Sequence, residues 1–183
     1  MTESARRPRN EVVEPRQRVT SPAVSNLIAE LASGNGAVRQ RARGLLVEIG
    51  GPAVGPLTGA LENPIGQVRW EAAKALGEIG DAALSSAPAL VRTLEDPRRD
   101  VRWLAAQALI ELGRAGLDPL LETVAHRAAS RWLREGAHHV LHALQGDDLD
   151  EIVSPVLGAL EGAEPALVAP NAAFQSLEVL RRD

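Results

Sequence analysis

Cysteine is absent from this 183-residue chain. That excludes disulfides and thiolate metal sites, and it is compatible with a reducing, cytoplasmic compartment. Tyrosine is absent too, and the aromatics come down to three Trp and one Phe. No apolar run approaches the roughly 20 residues of a membrane span. The N-terminal stretch has arginines but no apolar core of the kind a secretory leader carries. What remains is dominated by Ala, Leu and Val. Ala and Leu are strong helix formers, and small Ala lets helices approach closely, which points to an all-helical protein.

Charge is distributed unevenly. Residues 1–20 hold five Arg (positions 6, 7, 9, 16 and 18) against three Glu (3, 11 and 14). The other residues carry 15 basic against 21 acidic side chains. A basic tail on an acidic body argues against a large nucleic-acid surface on the body. Residues 1–20 show no apolar periodicity and read as a disordered tail preceding a repeat domain over residues 21–183.

The body is periodic. "NGAVRQRARGLLVEIG" ends at Gly50, "IGQVRWEAAKALGEIG" at Gly80 and "RRDVRWLAAQALIELG" at Gly113. A weaker copy, "SRWLREGAHHVLHALQG", ends at Gly146, and the weakest is the C-terminal "APNAAFQSLEVLRRD". The anchors Val38, Val68, Val101, Leu133 and Ala169 are 30, 33, 32 and 36 residues apart. A period of that size marks a stacked repeat array. Each copy follows a second amphipathic segment, such as "SPAVSNLIAELA", in which Ser21 before Pro22 suits a helix start. Gly50, Gly80 and Gly113 stand where a helix end calls for left-handed backbone. The unit is therefore helix A, turn, helix B, glycine stop.

At about 100° per residue, Val68, Ala72, Ala75, Leu76 and Ile79 form one buried stripe of helix B. The equivalent stripes are Val38, Ala42, Leu45, Leu46 and Ile49, and Val101, Ala105, Ala108, Leu109 and Leu112. One repeat cannot bury such a face alone, so the stack is the folding unit.

The "DVRWLAAQALIELG" and "QVRWEAAKALGEIG" units resemble the short HEAT-like repeats of phycobilisome lyases and many bacterial scaffold proteins. The resemblance covers roughly residues 22–180. It implies a right-handed α-solenoid of about five helix pairs, with the B helices lining a concave surface. It also implies that Arg39, Arg69, Arg102 and Arg134, each directly after its anchor, form a polar ladder between repeats. This repeat serves many roles, so the likeness speaks to fold more than to function.

Rotation about helix B places Trp70 and Trp103 opposite the buried stripe in adjacent repeats. Two readings are open: a hot spot for a partner, or a ring lying flat to seal the stack. The same face carries Gln40, Arg43, Gly44 and Val47; Ala73, Lys74 and Gly77; and Ala106, Gln107 and Ile110. Further along it come Glu135, His138, His139 and His142, then Asn171, Phe174, Gln175 and Glu178. Phe174 has a second reading, as a cover on the end of the stack. Trp132 is off this register and is expected to pack in the turn. Glu135, His139 and His142 share one face at metal-compatible spacing, against the plainer reading of a solvated polar face. No resident cofactor or metal is expected.

The expected function is a non-catalytic interaction scaffold for a partner peptide or helix, carried by Trp70, Trp103, Lys74, Gln107, Ile110, Arg43, His139 and His142. The alternative is a bilin lyase-like or chaperone subunit acting on a prosthetic-group protein.

Overall fold

The computed structural model describes residues 21–146 and 148–182. The tail expected over residues 1–20 lies outside them, as do the side chains of Ser21 and Pro22. Ten α-helices follow in order: α1 (Ser21–Glu30), α2 (Gly36–Ile49), α3 (Gly51–Ala60), α4 (Gly66–Ile79), α5 (Ala87–Thr93), α6 (Arg99–Glu111), α7 (Leu117–Arg127), α8 (Arg131–Ala143), α9 (Asp150–Glu161) and α10 (Pro165–Leu180). Short 3₁₀ turns at Gly80–Ser86 and Gly113–Gly116 lead into α5 and α7. The chain is an all-α solenoid, with no strand among the described residues.

The odd-numbered helices α1 to α7 form one layer and the even-numbered α2 to α8 the other. Each even helix packs on the next even helix and on its own odd partner. The stripes close the gap between the layers: Ala42, Leu46, Val68, Ala72, Leu76, Val101, Ala105 and Leu109 are all buried. Val38, at the open end of the stack, is only half-buried. Gly50, Gly80 and Gly113 have φ of 65°, 66° and 57°, the left-handed backbone expected of them. Each ends an even helix and turns the chain back to the odd layer.

The last pair departs from the pattern. The chain leaves α8 through Leu144 at φ −92°, with no left-handed glycine. Gly146 comes 13 residues after its anchor, where the other glycines come 12 after theirs. Helix α9 then lies along α8, and α10 returns along α9 and α7. The two layers are exchanged, so α10 sits in the odd layer. Asp118, at the start of α7, pairs with Arg181 after the end of α10 at 2.7 Å. His126, near the end of α7, meets Phe174 edge-on at 5.2 Å. So α10 runs antiparallel to α7. Asn171, Phe174, Gln175 and Glu178 therefore do not continue the face that carries Trp103; Phe174 is half-exposed and turned to α7.

Two tests follow. Leu76 and Leu109 are fully buried, so Leu76→Ala or Leu109→Ala should cost about 2–5 kcal/mol in urea denaturation through the cavity left behind. The second concerns acid. The Arg181 guanidinium holds the Asp118 carboxyl below the usual carboxylate range. Its stabilisation is complete above the unfolded value of about 3.9 and is lost as pH falls through the folded value. Asp118→Asn should lower the melting temperature near neutral pH, and wild type and variant should converge in strong acid.

Candidate functional site

The arginine after each anchor performs one repeated task. Arg39, Arg69, Arg102 and Arg134 each donate from Nη1 to the carbonyl six residues earlier, those of Ser33, Asn63, Asp96 and Ala128. Each thereby clamps the turn between its own two helices. The first three also reach into the next repeat. Arg39 Nε meets Glu71 at 3.1 Å, and Arg69 grips both Asp96 oxygens at 2.6 and 3.0 Å. The Arg102 guanidinium lies over the Trp132 ring at 4.7 Å. Trp132, expected to pack in the turn, stays partly exposed with this guanidinium over its ring. These arginines hold the stack in register and are occupied in doing so.

That register brings α2, α4, α6 and α8 side by side and creates three grooves between neighbours. The first, between α2 and α4, is bridged. Arg43 Nη1 donates to the buried Glu71 at 2.6 Å, and Arg43 Nε approaches Glu78 at 3.4 Å. The third, between α6 and α8, is bridged as well. His139 stacks on Trp103 at 4.7 Å, and its Nε2 lies 2.9 Å from the Gln107 amide nitrogen.

The middle groove, between α4 and α6, is open. Its floor is made of small residues: a Cβ on Gly77 would come within 3.2 Å of Ala108 Cα, so the two helices nearly touch there. Two hollows that share Leu104 run along it. One, of about 380 Å³, is walled by Lys74, Glu78, Gln107 and Glu111 over Ala73, Gly77 and Ala108. The other, of about 720 Å³, lies at the helix N-termini between Trp70, Trp103, Arg98, Arg99 and Asp100.

Trp70 and Trp103 therefore share one cavity. Trp103 is 55% exposed. It seals the third groove through His139 and also walls the middle one. Trp70 is half-buried, with Lys74 Nζ 5.2 Å from its ring centroid. Arg98 pairs with Asp100 at 2.6 Å. This contact holds the Asp100 carboxyl below its usual range and the guanidinium above its own, so both stay charged.

The other expected site residues divide. Lys74 and Gln107 line the groove, whereas Arg43 bridges the first groove and Ile110 is half-buried against the core. Ala73 and Ala106, expected on the open face, are buried between helices. Of the histidines, His139 faces Trp103, while His138 Nε2 donates to Glu161 at 2.9 Å. His142 is exposed, its ring 6.0 Å from that of His138. Glu135 pairs with Arg131. Glu135, His139 and His142 are thus turned to separate surroundings, and no group of three such residues is placed to hold a metal among the described residues.

Sequence reasoning missed Arg98, Arg99, Asp100, Leu104, Glu78 and Glu111. One signal was available: a Glu recurs ten residues after the anchor in three copies, as Glu48, Glu78 and Glu111.

A family model described as HEAT repeats matches residues 24–110. No curated protein matches the sequence. Among solved structures, an engineered protein aligns over 88% of this chain and 80% of its own, at 18% identity and a TM-score of 0.45. No described helix is long and apolar enough to cross a membrane.

The exposure of Trp103 sets an expectation for stability. The variant Trp103→Ala should lose about 1.5 kcal/mol, roughly half the lower cost of a fully buried aromatic, since about half of its surface is already in solvent. A buried aromatic would cost about 3–5 kcal/mol. Urea denaturation with an unchanged slope measures the difference.

Proposed function

We propose that this chain, a HEAT-like repeat protein, is a non-catalytic interaction scaffold that holds a segment of a partner protein in the groove between α4 and α6. HEAT repeats generally mediate contacts between proteins. One observation carries the assignment to this groove: its two neighbours are closed by side-chain bridges, and among the described residues it alone of the three is open, with two tryptophans at one end.

The walls suit a polypeptide. Helix α4 has 14 residues and is about 21 Å long, the length of roughly six residues of extended chain. Small floor residues let a backbone approach closely. The tryptophans offer large rigid apolar surfaces, the residue type most enriched where binding energy concentrates. Polar groups at the rim, Lys74, Gln107 and Glu111, orient the segment and supply hydrogen-bond partners. A cytoplasmic partner is part of this reading, since a chain without cysteine is compatible with a reducing compartment.

Affinity capture from the native lysate with wild type and with Trp103→Ala tests the proposal. The variant should weaken capture by about 2 kcal/mol, or about 30-fold, while its melting temperature stays close to wild type. The double change Trp70→Ala with Trp103→Ala should abolish capture. A folded double variant that retains its partner would remove the groove from the function.

A further inference from the structure

We infer that the groove between α4 and α6 is filled in the resting chain by the protein's own N-terminal segment, with Val12 and Val13 against the tryptophans and Arg16 and Arg18 at the Glu78–Glu111 end. The inference rests on the reading of this groove as a segment-binding site and adds its regulation: a partner must displace the segment.

The groove is electrically polar along its length. At the tryptophan end, Arg98 is neutralised by Asp100, and Arg99 has no ion pair among the described residues. At the other end Glu78 has only the 3.4 Å contact with Arg43, and Glu111 has no ion pair among the described residues. An occupant that satisfies both ends is basic at one end, apolar in the middle and acidic at the other. Read backwards from Ser21, the chain runs Thr20, Val19, Arg18, Gln17, Arg16, Pro15, Glu14, Val13, Val12, Glu11, with its basic residues first, then the valine pair between two glutamates. Arg18 and Arg16 meet the glutamates, Glu14 comes to Lys74, the valines to the tryptophans, and Glu11 to Arg99.

The path fits as well as the order. Helices α1 and α2 are joined by a five-residue turn and form an antiparallel hairpin. Ser21 therefore stands at the end of the stack where α2, α4 and α6 finish, which is the glutamate end. From there to the groove is about one and a half helix spacings along the stack and one across the layers, about 14–18 Å in all. Arg18 and Arg16 precede Ser21 by three and five residues, a reach of about 10–18 Å in extended chain. Glu78 and Trp70 are eight helical residues apart, about 12 Å along the groove. Arg16 and Val12 are four residues apart, a reach of about 13–14 Å. Pro15 favours extended backbone at Glu14, as such a path needs. The segment is net positive and the body net negative, so association is favoured before any contact forms.

The absence of cysteine makes the test direct. In the full ¹⁵N-labelled chain, Val13→Cys introduces one thiol for a nitroxide, and the three tryptophans supply three indole N–H signals. The expected result is loss of the Trp70 and Trp103 signals, with Trp132 less affected. Glu78→Gln with Glu111→Lys should restore them, and adding Arg16→Glu with Arg18→Glu should remove them again. Full retention of the signals, or equal weakening of all three that the charge changes leave untouched, overturns the inference. So does loss that appears only when nitroxide-bearing chains are mixed with separate ¹⁵N-labelled ones, which would place the segment in a neighbour's groove. Partner capture that depends on Trp103 would stand in either case, so the scaffold reading is judged separately.

Discussion

A guanidinium that grips two repeats at once is the contact on which the rest of this structure depends. Arg39, Arg69 and Arg102 each hold a carbonyl in their own turn and a group in the next repeat. The carbonyl contact fixes where helix B begins relative to helix A. The cross-repeat contact fixes how far one helix B slides along the next. The turn carbonyls and the Glu71 and Asp96 carboxylates would otherwise be partly buried without these partners, a cost that makes the register stringent. Equivalent positions of successive B helices consequently stand side by side, and Trp70 and Trp103 come to share one cavity.

Repetition sets the scaffold, and departures from it make the site. Five and six residues after the anchor the copies differ: Arg43 and Gly44, Ala73 and Lys74, Ala106 and Gln107, His138 and His139. Arg43 is long and finds carboxylates across the first groove, and His139 finds an indole and an amide across the third. In the middle, Ala73 and Gly77 are too short to bridge anything, and Lys74 turns to Trp70. The gap is a consequence of side-chain length rather than of any change in the backbone. Charges left at its two ends, Arg99 and Glu111, give the opening a direction.

The ends of the stack follow different physics. An interior repeat buries both faces against neighbours, whereas a terminal one must leave a face uncovered. Here the last two helices exchange layers, and α10 lies antiparallel to α7, pinned by Asp118–Arg181. It leaves Leu167 and Val168 in solvent, while the half-exposed Phe174 ring turns back to His126 of α7.

The periodic part of this architecture was legible in the chain itself. The spacing of Val38, Val68 and Val101, the alanines between helices and the three left-handed glycines all encode local preferences that packing reinforces, so helix order, layers and buried stripes could be read directly. The opposition of Trp70 and Trp103 to the buried stripe was legible for the same reason, since rotation along one helix is a local property. Which groove is open was not. It depends on whether a side chain on one helix finds a partner on the next, and Arg43 with Glu71 or His139 with Trp103 are 28 and 36 residues apart. The exchange of layers after α8 coincides with a one-residue slip of Gly146, a weak local signal beside the packing of α9 and α10. Local pattern determined the repeat, its register and the face that carries the tryptophans. Only the tertiary structure decided what that face leaves uncovered, because closure of a groove is a property of pairs of side chains that the sequence keeps far apart.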